Sequence, residues 1–320
     1  MTDTRAELSA VLATDRLETA DEMIEHLRLR TGEVRLELVL VGIEGRVPGE
    51  PAREGFAGVR TLATPVASIP AARAAGVRAA DAPLVVLVET HCFPEPGWAR
   101  ALVDRWREGW LAIGPTIGND NPSARGWASL ILDYGPFVQA EPGPRREIPG
   151  HNSAYDRQLL LDMGGQLEAA LENETLLHWR LAATARQPYL DDEARVRHLN
   201  VTRAGAAARQ WFHNARLFAA RRAAGWAPSR RVLYAAGSPL LTVLFASTAL
   251  SHAGRLGRLS DVIRATPLVA ACVTARAAGE MAGYLTLRAD VTAVNTYELH
   301  RARYAHRSAG AGLSDSRVVA

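Results

Sequence analysis

The apolar run Leu84-Val85-Val86-Leu87-Val88 stops at a polar pair, Glu89 and His91, and then at two prolines, Pro94 and Pro96. A short valine-rich run of this kind predicts a strand buried on both faces of a parallel sheet. The prolines end it, and Gly97-Trp98 opens an amphipathic helix that reaches about residue 109. Upstream, residues 8–14 predict a strand. Residues 18–30 predict a helix with Met23, Ile24, Leu27 and Leu29 as its apolar positions. A second strand follows at 34–41, and a short Ala/Arg helix at 71–80 leads into the run at 84–88. Strand–helix–strand–helix–strand is the order of an α/β sheet built from right-handed crossovers.

Further on, residues 110–113 return to the sheet. Residues 114–150, rich in Gly, Pro and Asn, predict loops around a site. A helix is expected at about 157–163, closed by Gly164-Gly165. Another follows at 172–185, and a last short strand at 194–201. The character then changes. Residues 232–250 form 19 positions without a charge, flanked by Arg221, Arg222, Arg230 and Arg231 before and by Arg255 and Arg258 after. The run only just reaches the length of a spanning helix, and Pro239 weakens that reading. An interfacial helix, a re-entrant hairpin and a buried helical pair fit as well. A second apolar stretch, 266–287, is interrupted by Arg276 and Glu280. The expected division is 1–205 as the α/β domain, 206–305 as a helical, membrane-associated region, and 306–320 as a disordered tail.

Charge sharpens this division. Of the 37 basic residues all are arginine; residues 201–320 hold 16 of them against 5 acids, net +11, and the rest 21 against 29, net −8. A basic, apolar C-terminal third predicts an anionic partner, and a membrane surface fits better than nucleic acid. The arginines flank apolar runs instead of interleaving with exposed aromatics. The alternative is a cytosolic helical subdomain with a basic solvated face. Two distant cysteines, Cys92 and Cys272, give neither a disulfide framework nor a zinc pattern, so a reducing compartment is expected. The first residues lack the apolar core of a signal peptide. The expected location is the cytoplasmic face of the membrane, peripheral or with one to two apolar helices inserted, or alternatively the soluble cytoplasm.

Glu89 and His91, spaced i, i+2 at the end of a buried strand, point to one side of extended backbone. Ligand sites in open α/β sheets lie at such carboxyl ends, so the pair is the first candidate site. The structural alternative is a polar strand end that caps the following turn.

At this point the chain resembles the inverting family 2 glycosyltransferases, over roughly residues 8–200. The strand 84–88, Glu89-Thr90-His91 and the turn Pro94-Glu95-Pro96-Gly97-Trp98 are similar to that family's strand, its Asp-x-Asp motif and its Pro-x-Pro-Gly-Trp turn. Ala72-Arg73-Ala74-Ala75-Gly76 resembles its Ala-Arg-Asn-x-Gly helix. Residues 149–155 resemble its acceptor-side loop, Asn173-Glu174 ahead of Arg180-Leu181 its acidic pair, and His198 its late-strand histidine. The C-terminal residues 279–285 resemble tails of membrane-associated members. The departures are Glu-x-His for Asp-x-Asp, Asn173 for the first acid of the pair, Ala74 for the Asn of the Arg-Asn pair, and Glu44 alone in the turn after the second strand.

The resemblance implies a GT-A fold, meaning a Rossmann-like mixed sheet flanked by helices, with the C-terminal apolar and basic extension added. It implies an enzyme that moves a sugar from a nucleotide-sugar or lipid-phosphate-sugar donor to a glycan or lipid-linked acceptor of the cell envelope. In that reading Glu174 is the catalytic base, with Glu172 as the fallback. Glu89, His91 and His198 hold a divalent cation, Mn²⁺ or Mg²⁺, with Mn²⁺ favoured by the imidazoles. Arg73, Glu44, His151, Asn152 and Trp98 contact donor or acceptor. The alternative function is a catalytically weak GT-A-like binding or assembly protein in glycan production.

Overall fold

The computed structural model describes residues 5–184 and 186–306. The tail expected to be disordered lies, apart from His306, outside the described residues. The chain forms two compact units: residues 1–117 with 139–197, and residues 118–138 with 198–320.

The first unit is α/β. Its mixed sheet is built from β1 (Leu8–Thr14), β2 (Leu36–Gly42), β3 (Gly58–Ala63), β4 (Leu84–Val88), β5 (Cys92–Pro94), β6 (Ala112–Asn119), β7 (Gly143–Pro144), β8 (Ser153–Asp156) and β9 (Tyr189–His198). The order is β3-β2-β1-β4-β8-β6-β9-β5, with β7 beside β9. The first four pair in parallel; β8 runs antiparallel to both β4 and β6. All residues of β1, β2 and β4 are buried, as unbroken apolar runs covered on both faces by helices must be. Helices Leu17–Arg28, Ile69–Ala79 and Trp98–Arg107 supply covering at the predicted places.

Five segments differ from the sequence expectation, the first being β5, a three-residue strand that includes Pro94, where the prolines were expected to forbid strand. β3 and β8 were not predicted: β3 is only half-buried, with Arg60 among its residues, and β8 is four residues long. The last strand is Tyr189–His198 and not 194–201, because acidic Asp191-Asp192-Glu193 hides its first half from an apolar count. Residues 114–150 are not simply loops. β6 runs on to Asn119, and Ser123 caps a helix, Ala124–Tyr134, by accepting from the Gly126 N–H at 3.1 Å.

The second unit is helical. Ala204–Arg222 packs along Thr266–Thr286, and the contact is close because of two glycines. A Cβ on Gly279 would meet the Phe212 carbonyl oxygen at 2.2 Å, and one on Gly283 the Arg216 oxygen at 2.5 Å. The uncharged run 232–250 is not one helix: it is divided between Pro228–Gly237 and Leu240–Arg255, bent by 52° around Ser238-Pro239. Pro239 lacks the N–H that a continuous helix needs. Among the described residues no single helix is long and apolar enough to cross a membrane, though this bent pair has the length and composition together.

Candidate functional site

The candidate site lies at the carboxyl end of β4, and Arg73 is its hub. Arg73 sits on helix Ile69–Ala79, which comes close to the sheet because residue 76 is glycine. A Cβ there would lie 2.3 Å from Cγ1 of Val11 in β1. The guanidinium is buried and donates from one nitrogen to Glu174 Oε1 at 2.5 Å and from the other to Glu89 Oε1. Such a fork is the geometry in which arginine, unlike lysine, serves two carboxylates at once.

Glu89 follows the last residue of β4, and its second oxygen, Oε2, meets two imidazoles. His91 Nε2 lies 3.1 Å away and His151 Nδ1 2.5 Å away. The two rings stand edge to face with centroids 5.9 Å apart. Burial pushes the Glu89 carboxyl up, but His151, His91 and Arg73 together outweigh it and hold the group well below the usual carboxylate range.

His151 reaches Glu89 because its loop is pinned to the sheet. Asn152 donates its backbone N–H to the Leu87 oxygen at 2.9 Å and its Nδ2 to the Cys92 oxygen at 2.6 Å. It does so with φ at 51°, a left-handed conformation that asparagine tolerates better than most residues. Ser153 Oγ closes the turn on the Pro149 oxygen at 2.5 Å. Glycine at 150 leaves room for Glu174, whose Cδ would be 3.1 Å from a Cβ at that position. Glu174 opens the helix Glu174–Ala183, where Asn173 Oδ1 accepts from the Leu176 N–H at 3.1 Å.

Beneath this cluster lies a pair that sequence reasoning missed. His178, one turn after Glu174, is fully buried. Its Nδ1 accepts from the Ile148 N–H at 3.4 Å, and its Nε2 lies 2.8 Å from the Tyr155 hydroxyl. With Nδ1 accepting, the neutral ring carries its proton on Nε2 and donates it to the Tyr155 oxygen. Burial lowers the His178 pKa to about 3, and burial followed by the Glu174 charge pushes the Tyr155 hydroxyl up. The i, i+4 spacing of Glu174 and His178 on one helix is the only sequence signal for it.

Five of the expected residues are thus brought together: Arg73, Glu89, His91, His151 and Glu174. Asn152 is fully buried and acts as a pin through its two N–H groups, while its Oδ1 is buried without a hydrogen-bond partner among the described residues. Trp98 is fully buried, which places its indole in the core and leaves no ring face for stacking. Glu44 lies in the turn after β2 with φ at 57°, exposed and 3.3 Å from Arg46. His198 falls in the second unit, where its Nδ1 is 2.8 Å from Asn200 Oδ1 and its ring packs on Tyr134. Glu89 Oε2 thus faces two imidazole nitrogens, those of His91 and His151, and Glu89 and His91 have the geometry of metal ligands.

Compared with known protein families and with curated proteins, the chain shows no match.

Proposed function

We propose that the protein is an inverting glycosyltransferase of GT-A fold that moves a sugar from a nucleotide-sugar or lipid-phosphate-sugar donor to a cell-envelope or lipid-linked acceptor. The observation that carries this reading is the sharing of Arg73 between Glu89 and Glu174 at the carboxyl end of a parallel strand. Inverting transfer needs a base on the acceptor hydroxyl and positive charge at the departing diphosphate. Glu174, with its side chain 21% exposed, is the base, and Arg73 is the cation. A donor diphosphate carries more charge than either carboxylate and competes for the same guanidinium fork. That competition frees Glu174 to accept a proton once the donor is in place. A divalent cation, when bound, would add Lewis-acid compensation of the leaving group; Glu89 and His91 are the residues to hold it.

The same pairing favours a second reading, a catalytically weak GT-A-like binding or assembly protein. Both carboxylates already have partners, Arg73 for each and the two imidazoles for Glu89. The test is incubation of the full-length protein with UDP- and GDP-sugars and Mn²⁺, following release of nucleoside diphosphate. The transferase reading expects release that Glu174→Gln lowers on the order of a hundred- to ten-thousand-fold while nucleotide binding persists. Binding without release in the wild type selects the second reading. No binding of either nucleotide, with no sugar transfer from a polyprenyl-phosphate sugar, overturns both.

A further inference from the structure

The bent helix pair Pro228–Gly237 and Leu240–Arg255 turns its large aliphatic side chains outward and its small ones inward. Leu233, Leu240 and Val243 are 70%, 73% and 71% exposed, and Val232 and Leu244 are more than half exposed. The buried positions are Ala235, Ser238, Ala249 and Ala253. Leu240, Val243 and Leu244 follow i, i+3, i+4, so they form one stripe on one side of the helix. A helix whose outer face meets only water carries the opposite arrangement. A contiguous aliphatic patch of this kind marks a surface that something covers.

Charge selects the cover. Between Leu199 and Ser260 the chain has nine arginines and no carboxylate. Arg221 and Arg230 stand exposed near the apolar residues in sequence. Two copies of such a face repel each other, whereas anionic headgroups attract it. The outward residues are also aliphatic, while cores of protein interfaces are enriched in aromatics. The aromatics of this pair are turned to their own unit: Tyr234 packs on Trp226, and Phe245 on Trp211.

We propose that this helix pair is a monotopic docking surface for an anionic lipid bilayer, lying in the membrane plane with Leu233, Leu240, Val243 and Leu244 at the acyl boundary. Its inner side opposes spanning. Ala249 and Ala253 belong to a core with Trp211, Leu268 and Cys272, and Arg255 donates to the Gly135 and Val138 oxygens at 2.9 Å each. Crossing a bilayer would strip away these contacts; lying on it keeps them all. The inference does not rest on the transferase reading, because docking requires neither donor nor cation.

The test is sedimentation of the full-length protein with vesicles of phosphatidylcholine alone and with vesicles containing about a third phosphatidylglycerol. Binding to the anionic vesicles is expected, weakened by salt. The double variant Leu240→Asp with Leu244→Asp should bind on the order of tenfold more weakly or worse, with an unchanged thermal melt, since both side chains are exposed. Arg221→Gln with Arg230→Gln should lower binding to anionic vesicles only. A nitroxide on Leu244→Cys, selective because Cys92 and Cys272 are buried, should collide more often with dissolved oxygen once vesicles are added. Absence of wild-type binding, undiminished binding by the aspartate variant, or an unchanged label each overturns the proposal. So does a dimer in solution that the aspartates disperse, because a second copy then covers the stripe.

Discussion

Two carboxylates beside one guanidinium define the chemistry at the scale of single residues, yet the acid response of the protein is set one layer deeper. His178 is held neutral in the fold, with its pKa lowered to about 3 by burial, while its ordinary value is 6.5. In the unfolded chain it therefore binds a proton that the folded protein refuses. The His178 contribution is full above pH 6.5 and falls as the pH drops, at about 1.4 kcal/mol per pH unit, down to about pH 3. The ionised carboxyl of Glu89 adds a separate loss that begins lower, as the pH falls through the ordinary carboxylate value of 4.5. Between pH 6.5 and 4.5 the Glu89 loss has not begun; His252, lowered by burial and Arg255, and Glu280, raised by burial, also act there, so the His178 share is read as the difference between variant and wild type. Replacing His178 by Gln, which retains groups able to pair with Ile148 N–H and Tyr155, should flatten the stability–pH curve in that window by about one proton's slope. Urea titrations at four or five pH values check this; parallel curves for variant and wild type would show that His178 is not the group responsible.

At the scale of elements, the site depends on how closely one helix approaches the sheet. Ile69–Ala79 carries Arg73 to the end of β4 only because Gly76 lets it touch Val11. Gly76→Ala would place a methyl 2.3 Å from the Val11 side chain, so the helix must move outward or Val11 must leave its rotamer. Overpacking of this kind costs roughly 1–3 kcal/mol. Because the displaced helix carries Arg73, nucleotide binding should weaken along with stability. A variant that loses stability but keeps full binding would separate the helix position from the site. Much of this architecture was legible in the chain. The unbroken runs of β1 and β4 announce burial on both faces, and Arg73, Glu89 and Glu174 stand out through the motifs they resemble. The edge strand β3 was hidden by its half-exposed, mixed sequence, and the helix Ala124–Tyr134 by the Asn and Pro residues just before its cap. The Tyr155–His178 pair was illegible for another reason: 23 residues separate its members, and only the antiparallel insertion of β8 brings them together. The sequence points His151 to a sugar, whereas its pairing with Glu89 depends on the left-handed turn at Asn152, which no residue pattern specifies.

For the molecule as a whole, the consequential feature is that the second unit is discontinuous in sequence. Its helix Ala124–Tyr134 comes from the middle of the chain, and its remaining helices from the last third. Ala128 and Ile131 are buried in the same core as Trp211, Leu268 and Cys272. Asp133 lies 3.0 Å from Arg301, which is buried between it and Glu298. Burial alone would lower the Arg301 pKa, but the charges of Glu298 and Asp133, with Tyr134 and Tyr297, raise it, so the guanidinium stays charged and the pair is a true ionic contact. A chain ending at residue 205, where composition changes, would keep Ala124–Tyr134 and lose Trp211, Ala249, Ala253, Leu268 and Cys272, the larger part of the core in which it is buried. The exposed alanine and isoleucine face, with the Asp133–Arg301 ion pair removed, should make this shortened chain aggregate or melt without cooperativity. A chain ending at residue 306 retains Arg301 and should behave as the full-length protein does. Size-exclusion chromatography and thermal unfolding followed by circular dichroism distinguish the two. If the chain ending at 205 were a soluble monomer with a sharp, near-native transition, the helix from the middle of the chain would have to be stable without the core in which it is buried.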